Sequence, residues 1–141
     1  MSEYIPSPQQ WVREQVELYE RSGGTAGLTL RDTGLPVIIV INRGRRTGAV
    51  RKTPLMRVVD GKNYILVASQ GGAPKHPQWY YNLKANPEVE IRDETELHKM
   101  RVREVTDPAE RTRLWNIAVK TFPRYQVYQQ KAGRIIPVFV A

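Results

Sequence analysis

Apolar and polar positions alternate along the chain with two different periods, which separate helical segments from strands. Near the N-terminus, Val12, Val16 and Tyr19 recur at helical spacing. We predict a helix here, with Ser7 as its N-cap and Pro8 as its first residue. The apolar stripe indicates that this helix packs against the rest of the protein.

The middle of the chain has the pattern of β-strands. The continuously apolar run PVIIVIN is typical of a strand that is buried on both faces. The next strand is predicted from Val50 to Val59, and Pro54 within it indicates an edge strand or a bulge, because proline lacks the N–H of a ladder. A DGK turn leads to the strand NYILVAS, and PEVEIRD pairs with ELHKMRVREV as a further hairpin.

Three more helices are predicted after the first. One begins at Pro77, one follows the N-cap signature of Asp107 and Glu110, and one or two turns fall in PRYQVYQQ before the last strand. Antiparallel strands with flanking helices predict a mainly β (α+β) fold, a small antiparallel barrel. We expect a single domain overall, with a helix and glycine-rich connector over 1–27 and the barrel over 28–141.

The composition of the 141 residues fits a globular protein, with 40% hydrophobic residues and no cysteine. The absence of cysteine excludes disulfides, thiol catalysis and cysteine-ligated metals. The longest apolar runs are too short to span a bilayer. The start MSEYIPSPQQ lacks the basic and apolar regions of a signal peptide, so we expect a cytoplasmic protein.

The net charge of +8 is concentrated in one turn, NRGRRTGAVRK. This concentration favours a compact anionic ligand over a long nucleic-acid backbone. Arg45, Arg46 and Arg51 offer guanidinium forks, and Thr47 and the backbone at Gly48 offer neutral donors. From the residues alone, a solvated turn with surface arginines remains the alternative.

The stretch ASQGGAPKHPQWYYNL combines a strand end, a glycine loop and a helix start. That order presents backbone N–H groups to whatever lies nearby, although a plain turn above a core helix remains the alternative. His76 is a weak candidate for a base or a metal ligand, because the other histidine, His98, lies on a strand and no carboxylate cluster is near either. We predict no metal site.

Three aromatic residues, Phe122, Tyr125 and Tyr128, follow each other at a spacing of three. One helical face or a wide turn therefore carries all three side chains. They form either a core stripe or an aromatic wall over a flat ligand. The tyrosine hydroxyls favour the wall, because a buried hydroxyl needs a partner.

These features, in this order, resemble the deazaflavin-dependent nitroreductase family of actinobacteria, which includes F420-dependent quinone and enone reductases. The matching segments are GRRTGAVRKTPL, ASQGGAPKHPQWYYNLKANP, FPRYQVYQ and IIPVFV. The resemblance implies a split β-barrel of the FMN-binding type with Greek-key strands. It also implies coenzyme F420 as the cofactor, and FMN is the alternative within the same fold.

The resemblance further implies which positions hold the ligands. The basic turn corresponds to the site of the cofactor's phosphate and acidic tail, and the next strand end and helix start to the site of its ring system. The implied cofactor-binding residues are Arg45, Arg46, Thr47, Arg51, Lys52, Thr53, Pro54, Val67, Ala68, Ser69, Gln70, Gln78, Trp79, Tyr80 and Asn82. The implied substrate-binding residues are Met56, Ser69, Phe122, Tyr125 and Tyr128.

The reaction that the resemblance implies is hydride transfer to an electron-poor carbon of the substrate. Ser69 and Tyr125 are the catalytic candidates, as donors to the oxygen that becomes negative, and Tyr128 or solvent completes protonation. Met56 and Phe122 replace tyrosines of nitroimidazole-reducing members, and Gln70 replaces a common lysine. The smaller number of hydroxyls favours quinones, or unsaturated lactones of the coumarin and furanocoumarin type.

Two rival functions differ from this interpretation. One is a non-catalytic deazaflavin carrier. The other is a nucleic-acid-binding barrel that stacks bases on Trp79, Tyr80 and Tyr81, which is disfavoured because the basic residues lie in one turn apart from these aromatics. We therefore expect a small-molecule substrate and no nucleic-acid partner, peripheral membrane contact if the substrate is a menaquinone, and we leave a homodimer open.

Overall fold

The computed structural model describes residues 3–30 and 33–141. Four helices and eight strands are formed by these residues, with a short 3-10 turn at Gln70–Gly72. In chain order the elements are α1 (Gln10–Arg21), β1 (Val37–Arg43), β2 (Val50–Met56), β3 (Val59–Asp60), β4 (Asn63–Val67), α2 (Gln78–Ala85), β5 (Glu88–Asp93), β6 (Glu96–Arg101), β7 (Arg103–Glu104), α3 (Pro108–Thr121), α4 (Arg124–Ala132) and β8 (Val138–Val140).

The strands form two four-stranded sheets, with the orders β2-β1-β5-β6 and β3-β4-β8-β7. Neighbouring strands are antiparallel in both sheets. The predicted α+β class with antiparallel strands and flanking helices is therefore confirmed. Among the described residues no strand ladder joins one sheet to the other, so closure into a barrel stays a prediction.

The strand β1 is buried on both faces, as its apolar run predicts. Val37 and Ile39 enter one hydrophobic core with residues of α1, α3 and α4. Ile38 and Val40 enter a second core, which includes Trp79 of α2. The helices α1, α3 and α4 therefore pack in the first core and α2 in the second, while β1 and β4 contribute residues to both.

The predicted strand from Val50 to Val59 is wrong in one respect. It divides after Met56, and its last residues form β3 in the other sheet. The backbone N–H of Arg57 donates to the carbonyl of Pro36, which marks the corner where the chain passes between sheets. The predicted edge position of Pro54 is confirmed, because β2 lies at the edge of its sheet, where Pro54 faces Ile39.

Two of the predicted helix starts are shifted. The helix α1 begins at Gln10 instead of Pro8, because the Ser7 hydroxyl accepts the backbone N–H of Gln9 at 3.1 Å in a turn that precedes the helix. Pro77 is the N-cap residue of α2, which begins one residue later. The Asp107 signature is confirmed, since its carboxylate accepts the N–H of Glu110 at 2.9 Å.

Backbone and side-chain hydrogen bonds attach the N-terminal segment and α1 to the first sheet. At the edge of β2, the backbone of Val50 bonds with Glu3 and Ile5 in a parallel bridge. At the β5–β6 turn, the Tyr19 hydroxyl accepts the N–H of Glu94 at 2.6 Å. Within residues 3–30 and 33–141, no helix is long and apolar enough to cross a membrane.

Candidate cofactor and substrate cavity

A cavity of about 1020 Å³ lies beside β2. Its walls come from the basic turn after β1, the glycine loop after β4, the start of α2, the aromatic residues around α4 and the N-terminal segment. Segments far apart in the chain therefore converge on one space. A cavity of this size is large enough for a cofactor together with a small substrate.

The structure brings most of the predicted site residues to this cavity. The lining cofactor-binding candidates are Arg45, Arg46, Thr47, Arg51, Lys52, Thr53, Pro54, Val67, Ser69, Gln70, Gln78, Trp79 and Asn82. All the substrate-binding candidates also line it: Met56, Ser69, Phe122, Tyr125 and Tyr128. Their shared location agrees with the predicted roles, which remain predictions.

Two predicted cofactor-binding residues lie elsewhere. Ala68 is fully buried, and its N–H and carbonyl are bonded to Pro137 and Arg134. The ring of Tyr80 packs 4.4 Å from the ring of His76, and its hydroxyl donates to Glu104 at 3.3 Å. Tyr80 follows Trp79 on the helix, so its side chain points away from the cavity that Trp79 lines. A sequence motif does not show which of two adjacent helical residues faces a site.

One end of the cavity is cationic, and its charges are of two kinds. Arg45 and Arg46 are exposed on the turn and form no salt bridge within the described residues. By contrast, Arg51 donates to the carbonyl of Ile5 at 3.3 Å, and Lys52 pairs with Glu20 at 2.7 Å. Arg45 and Arg46 are therefore the cations that can pair with a bound anion without first losing a protein partner.

Two buried amides fix the position of the basic turn. The Asn82 side-chain oxygen accepts the N–H of Arg45 at 3.0 Å, and its nitrogen donates to Asn42 at 3.1 Å. The Asn42 nitrogen donates in turn to the carbonyl of Val40 at 3.1 Å. Because buried amides need partners, this relay ties the turn to both β1 and α2. Asn82 thus positions the cationic end in addition to lining the cavity.

The glycine loop lies close to α4. Gln70, Gly71 and Gly72 all have positive φ, and a Cβ on Gly72 would lie 3.0 Å from the Cα of Tyr128. Glycine is therefore required at position 72 for the close approach as well as for the backbone angle. The loop and the aromatic wall consequently form adjoining walls of the cavity.

Arg134, which follows α4, holds the glycine loop from outside the cavity. Its guanidinium donates to the carbonyls of Ser69 and Ala73 at 3.0 Å, and it lies 3.0 Å from Nδ1 of His76. Because arginine only donates, Nδ1 of His76 accepts and the ring proton resides on Nε2. Burial and the charge of Arg134 lower the pKa of His76. His76 contacts the arginine that holds the loop, and it does not line the main cavity.

Another wall of the cavity is aromatic, and Arg124, which also lines the cavity, lies 5.8 Å from the ring of Phe122. The rings of Phe122, Tyr125 and Tyr128 pack edge to face, with centroids 4.9 Å apart for Phe122 and Tyr125 and 6.1 Å apart for Phe122 and Tyr128. Met56 lies on the facing strand β2. This is the arrangement expected of a wall against a flat, electron-poor ring.

Two of the residues that line the cavity, Ser69 and Tyr125, carry hydroxyl groups and are themselves largely buried. Ser69 is 7% exposed and Tyr125 is 4% exposed, and both line the cavity. Neither hydroxyl has a hydrogen-bond partner in the part of the chain that the structure describes. Burial raises the pKa of Tyr125 well above its usual value, so this hydroxyl stays protonated. Hydroxyls that line a cavity and have no protein partner are suited to donate to a ligand.

Sequence reasoning missed the N-terminal contribution to the cavity. The additional lining residues are Ile5, Ser7, Pro8, Gln9, Trp11, Val12, Leu30, Thr33, Gly44, Leu55, Gly71, Pro77 and Arg124. The apolar stripe of α1 predicts packing but not where the helix packs. One signal in the sequence is Trp11, which lies beside the apolar stripe of α1. A ring of this size is not needed on the solvent face of a helix, so its presence indicates a further contact.

The same structure removes the geometric basis of the nucleic-acid alternative. Trp79 is 8% exposed, and Tyr80 packs edge to face with Tyr81 at 5.1 Å. The Tyr80 ring also contacts Phe139 at 5.6 Å. These rings are used in packing and do not form a row of exposed stacking surfaces. In the described ranges no group of three or more metal-ligating side chains is gathered either.

A cationic end, an aromatic wall and two unpartnered donors together fit a flat cofactor that carries an anionic tail, as in deazaflavin- or flavin-dependent oxidoreductases of this fold. The comparisons with known proteins decide between these cofactors. A family model described as F420H(2)-dependent quinone reductase matches residues 11–141, and the chain belongs to this family. The chain is therefore an oxidoreductase with F420H2 as its electron donor.

Relatives and solved structures agree with that assignment. An F420H(2)-dependent quinone reductase of Mycobacterium tuberculosis H37Rv is 36% identical over 134 residues, which cover 93% of this chain and 89% of the relative. A solved F420-H2 dependent reductase (FDR-A) is 42% identical with a TM-score of 0.70, over 74% of this chain and 92% of the other. A solved domain-swapped dimer is 42% identical with a TM-score of 0.72, over 95% and 98% of the two chains.

Proposed function

We propose that this reductase transfers a hydride from F420H2 to quinones, and also to unsaturated lactones and enones of the coumarin and furanocoumarin type. The observation that carries the proposal is that Ser69 and Tyr125, two largely buried residues, line the cavity with hydroxyls that have no hydrogen-bond partner among the described residues. Such donors suit an oxygen that becomes negative when a hydride adds to the conjugated carbon. The names of the relatives support the quinone part of the proposal.

The residues of the chain divide the work of this reaction. When bound, the reduced deazaflavin supplies the hydride. Ser69 and Tyr125 donate hydrogen bonds to the substrate oxygen, and the raised pKa of Tyr125 keeps its proton in place for that purpose. Tyr128 or solvent delivers the proton that completes the reduction. Phe122 and Met56 keep water from the reacting face.

The composition of the wall favours some substrates over others. Met56 and Phe122 are buried and have no hydroxyl, so the wall offers apolar contact where a nitro group would need donors. A fused aromatic ring of a quinone or coumarin gains from the same contact. We therefore infer a preference for these rings over nitroimidazoles.

The direct test is oxidation of F420H2, followed by the return of the oxidised cofactor's absorbance. Menadione, a coumarin and a nitroimidazole serve as acceptors, and reduced FMN replaces F420H2 in a parallel control. We expect turnover with menadione, slower turnover with the coumarin, and the least with the nitroimidazole. Binding of F420 without turnover of any acceptor would favour the carrier function instead.

The proposed donors are tested by Tyr125→Phe and Ser69→Ala. Loss of one donor to a developing oxyanion lowers kcat by about 10²-fold in comparable sites, and we expect a loss of this order with an unchanged cofactor Kd. Tyr80→Phe is the matched control, because its hydroxyl bonds Glu104 outside the cavity. Unchanged turnover in Tyr125→Phe and Ser69→Ala alike would remove both residues from the reaction.

We also propose that the chain assembles as a homodimer. The support is the similarity over 95% of the chain to a solved protein described as a domain-swapped dimer. Light scattering coupled to size-exclusion chromatography measures the assembly directly. A monomeric mass at micromolar concentration would contradict the proposal.

A further inference from the structure

The guanidinium of Arg134 donates to backbone carbonyls of one loop. Its Nε donates to the carbonyl of Ala73 at 3.0 Å, and its Nη2 to those of Ser69 at 3.0 Å and Ala68 at 3.3 Å. Its Nη1 also donates to Ala68 at 3.3 Å. Within residues 3–30 and 33–141, no salt bridge includes Arg134. This half-buried arginine therefore binds the glycine loop and no acidic side chain of the described chain.

The carbonyls that Arg134 binds lie on both sides of the Cα of Ser69. The Ala68 carbonyl belongs to the peptide group before that Cα, and the Ser69 carbonyl belongs to the peptide group after it. Because peptide groups are planar, fixing both planes fixes φ and ψ of Ser69. The direction of its Cα–Cβ bond is then fixed as well, and the hydroxyl keeps only its rotation about that bond.

The loop after Ser69 has a backbone shape that needs support from outside. Gln70 has a φ of 46°, which a residue with a side chain rarely adopts. Within the loop, the N–H of Gly72 donates to Ser69 at 2.9 Å and the N–H of Ala73 donates to Gln70 at 3.1 Å. Strained conformations persist where the surrounding structure holds them in place. Arg134 supplies such support, since it binds both the entry and the exit of the loop.

The backbone of Arg134 is itself held by α4. The side-chain amide of Gln129 donates to the carbonyl of Arg134 at 2.6 Å and accepts the N–H of Ile136 at 3.0 Å. Gln129 lies one helical turn after Tyr125 on α4. Arg134 therefore connects the loop that carries Ser69 to the helix that carries Tyr125.

We propose that Arg134 is a positioning residue for the reduction, because its bonds to the carbonyls of Ala68 and Ser69 hold the Ser69 hydroxyl where it donates to the substrate oxygen. The inference rests on the proposed role of Ser69 as a donor. Arg134 does not line the main cavity, so it acts on the reaction through Ser69 and not by contact with the substrate. Without the guanidinium, the hydroxyl is present but misplaced.

The experiment is a double-mutant cycle in kcat, measured with saturating F420H2 and menadione. Arg134→Gln alone should lower kcat by about 10-fold, since misplacing a reacting group by about 1 Å can cost about 10²-fold. In the Ser69→Ala background, the same change should lower kcat by less than about two-fold, because no hydroxyl is left to misplace. In the Tyr125→Phe background, it should keep most of its effect, since Tyr125 is a separate donor.

Arg111→Gln is the matched control. Arg111 on α3 is also half-buried and donates to a backbone carbonyl, that of Ile136, but it does not line the cavity. Arg111→Gln and Arg134→Gln should both lower the Tm, whereas Arg111→Gln should keep the wild-type kcat. Arg134→Lys keeps the charge without the planar fork, and it takes the place of Arg134→Gln in the cycle if the glutamine variant does not fold.

Four results would contradict the inference. Unchanged kcat in both Arg134 variants, with Ser69→Ala impaired, would refute it and leave the proposed donors in place. An equal loss from Arg134→Gln in the wild type and in Ser69→Ala would show that Arg134 acts elsewhere. Disappearance of the effect in Tyr125→Phe as well would show general support of the site. Unchanged kcat in Ser69→Ala itself would instead refute the proposed donor, and the role of Arg134 with it.

Discussion

Two groups of cations border the same cavity and are used differently. Arg51 and Lys52 on β2 are bonded to the N-terminal segment and α1, whereas Arg45 and Arg46 on the preceding turn form no salt bridge in the described ranges. Both groups lie in one short basic segment, and its charge gives no indication of the difference. A cation already paired within the fold stabilises the protein, and one without a partner remains available for the ligand.

The largest expected effect comes from removing the unpaired group. Arg45→Gln together with Arg46→Gln should raise the F420 Kd by about 10- to 100-fold, because hydrogen bonds to charged groups contribute about 1.5–3 kcal/mol. The Tm should change little, since neither guanidinium forms a hydrogen bond or a salt bridge among the described residues and Arg45 lies against the ring of Tyr81 at 4.7 Å, close to the surface. Fluorescence titration and calorimetry measure the two quantities. A lower Tm with an unaltered Kd would show that Arg45 and Arg46 stabilise the fold and do not bind the cofactor.

A smaller effect on binding is expected for Arg51→Gln. Arg51 lines the cavity but also donates to the Ile5 carbonyl at 3.3 Å. The Kd should rise by about five-fold, consistent with one partly exposed charge, and the chemical step should change much less. Hydrogen exchange at the N–H of Ile5 should become faster, because the segment loses one of its contacts. Equal affinity with unchanged exchange would remove Arg51 from both roles.

The paired lysine should affect stability more than binding. Lys52→Gln and Glu20→Gln each break a half-buried ion pair and should lower the free energy of unfolding by less than about 1 kcal/mol. The double variant should be no less stable than either single variant if the pair acts as one unit. Each variant should keep the F420 Kd within about two-fold. A loss of affinity comparable to that of the Arg45 and Arg46 variant would contradict the distinction.

The smallest expected effect concerns pH. Burial and the charge of Arg134 lower the pKa of His76 below its usual value of 6.5, so protonation favours the unfolded state. The stability that neutral His76 contributes is present above that value and is lost as the pH falls through the lowered pKa. The Tm should decrease between pH 7.5 and 5.5 by about 2 °C more in the wild type than in His76→Gln. His98→Gln, on β6, should behave as the wild type.

Much of the fold follows from local patterns in the sequence. The continuous apolar run of β1, the edge proline of β2 and the N-cap of α3 are each determined by a few neighbouring residues. The division of the strand after Met56 was not predictable in this way. Its cause is the passage of the chain to the other sheet, which depends on residues distant in sequence.

The site residues were predictable where a short segment determines both which side chains are present and the direction in which they point. The basic turn, Ser69 and the three aromatic residues reach the cavity as expected. Tyr80 does not reach the cavity. The motif contains both Trp79 and Tyr80, but adjacent residues of a helix point in directions about 100° apart, so only Trp79 faces the cavity. The relay from Asn82 to Asn42 joins strands and helix across forty positions, and no pattern within either segment indicates such a contact.

The N-terminal wall of the cavity has a consequence for how relatives are compared. Similarity to the family model begins at residue 11, whereas the cavity is lined from Ile5 onward. Ile5, Ser7, Pro8 and Gln9 line the cavity from outside the residues that the family model matches. We therefore expect that exchanging these four residues alters acceptor preference while leaving the matched part of the chain intact.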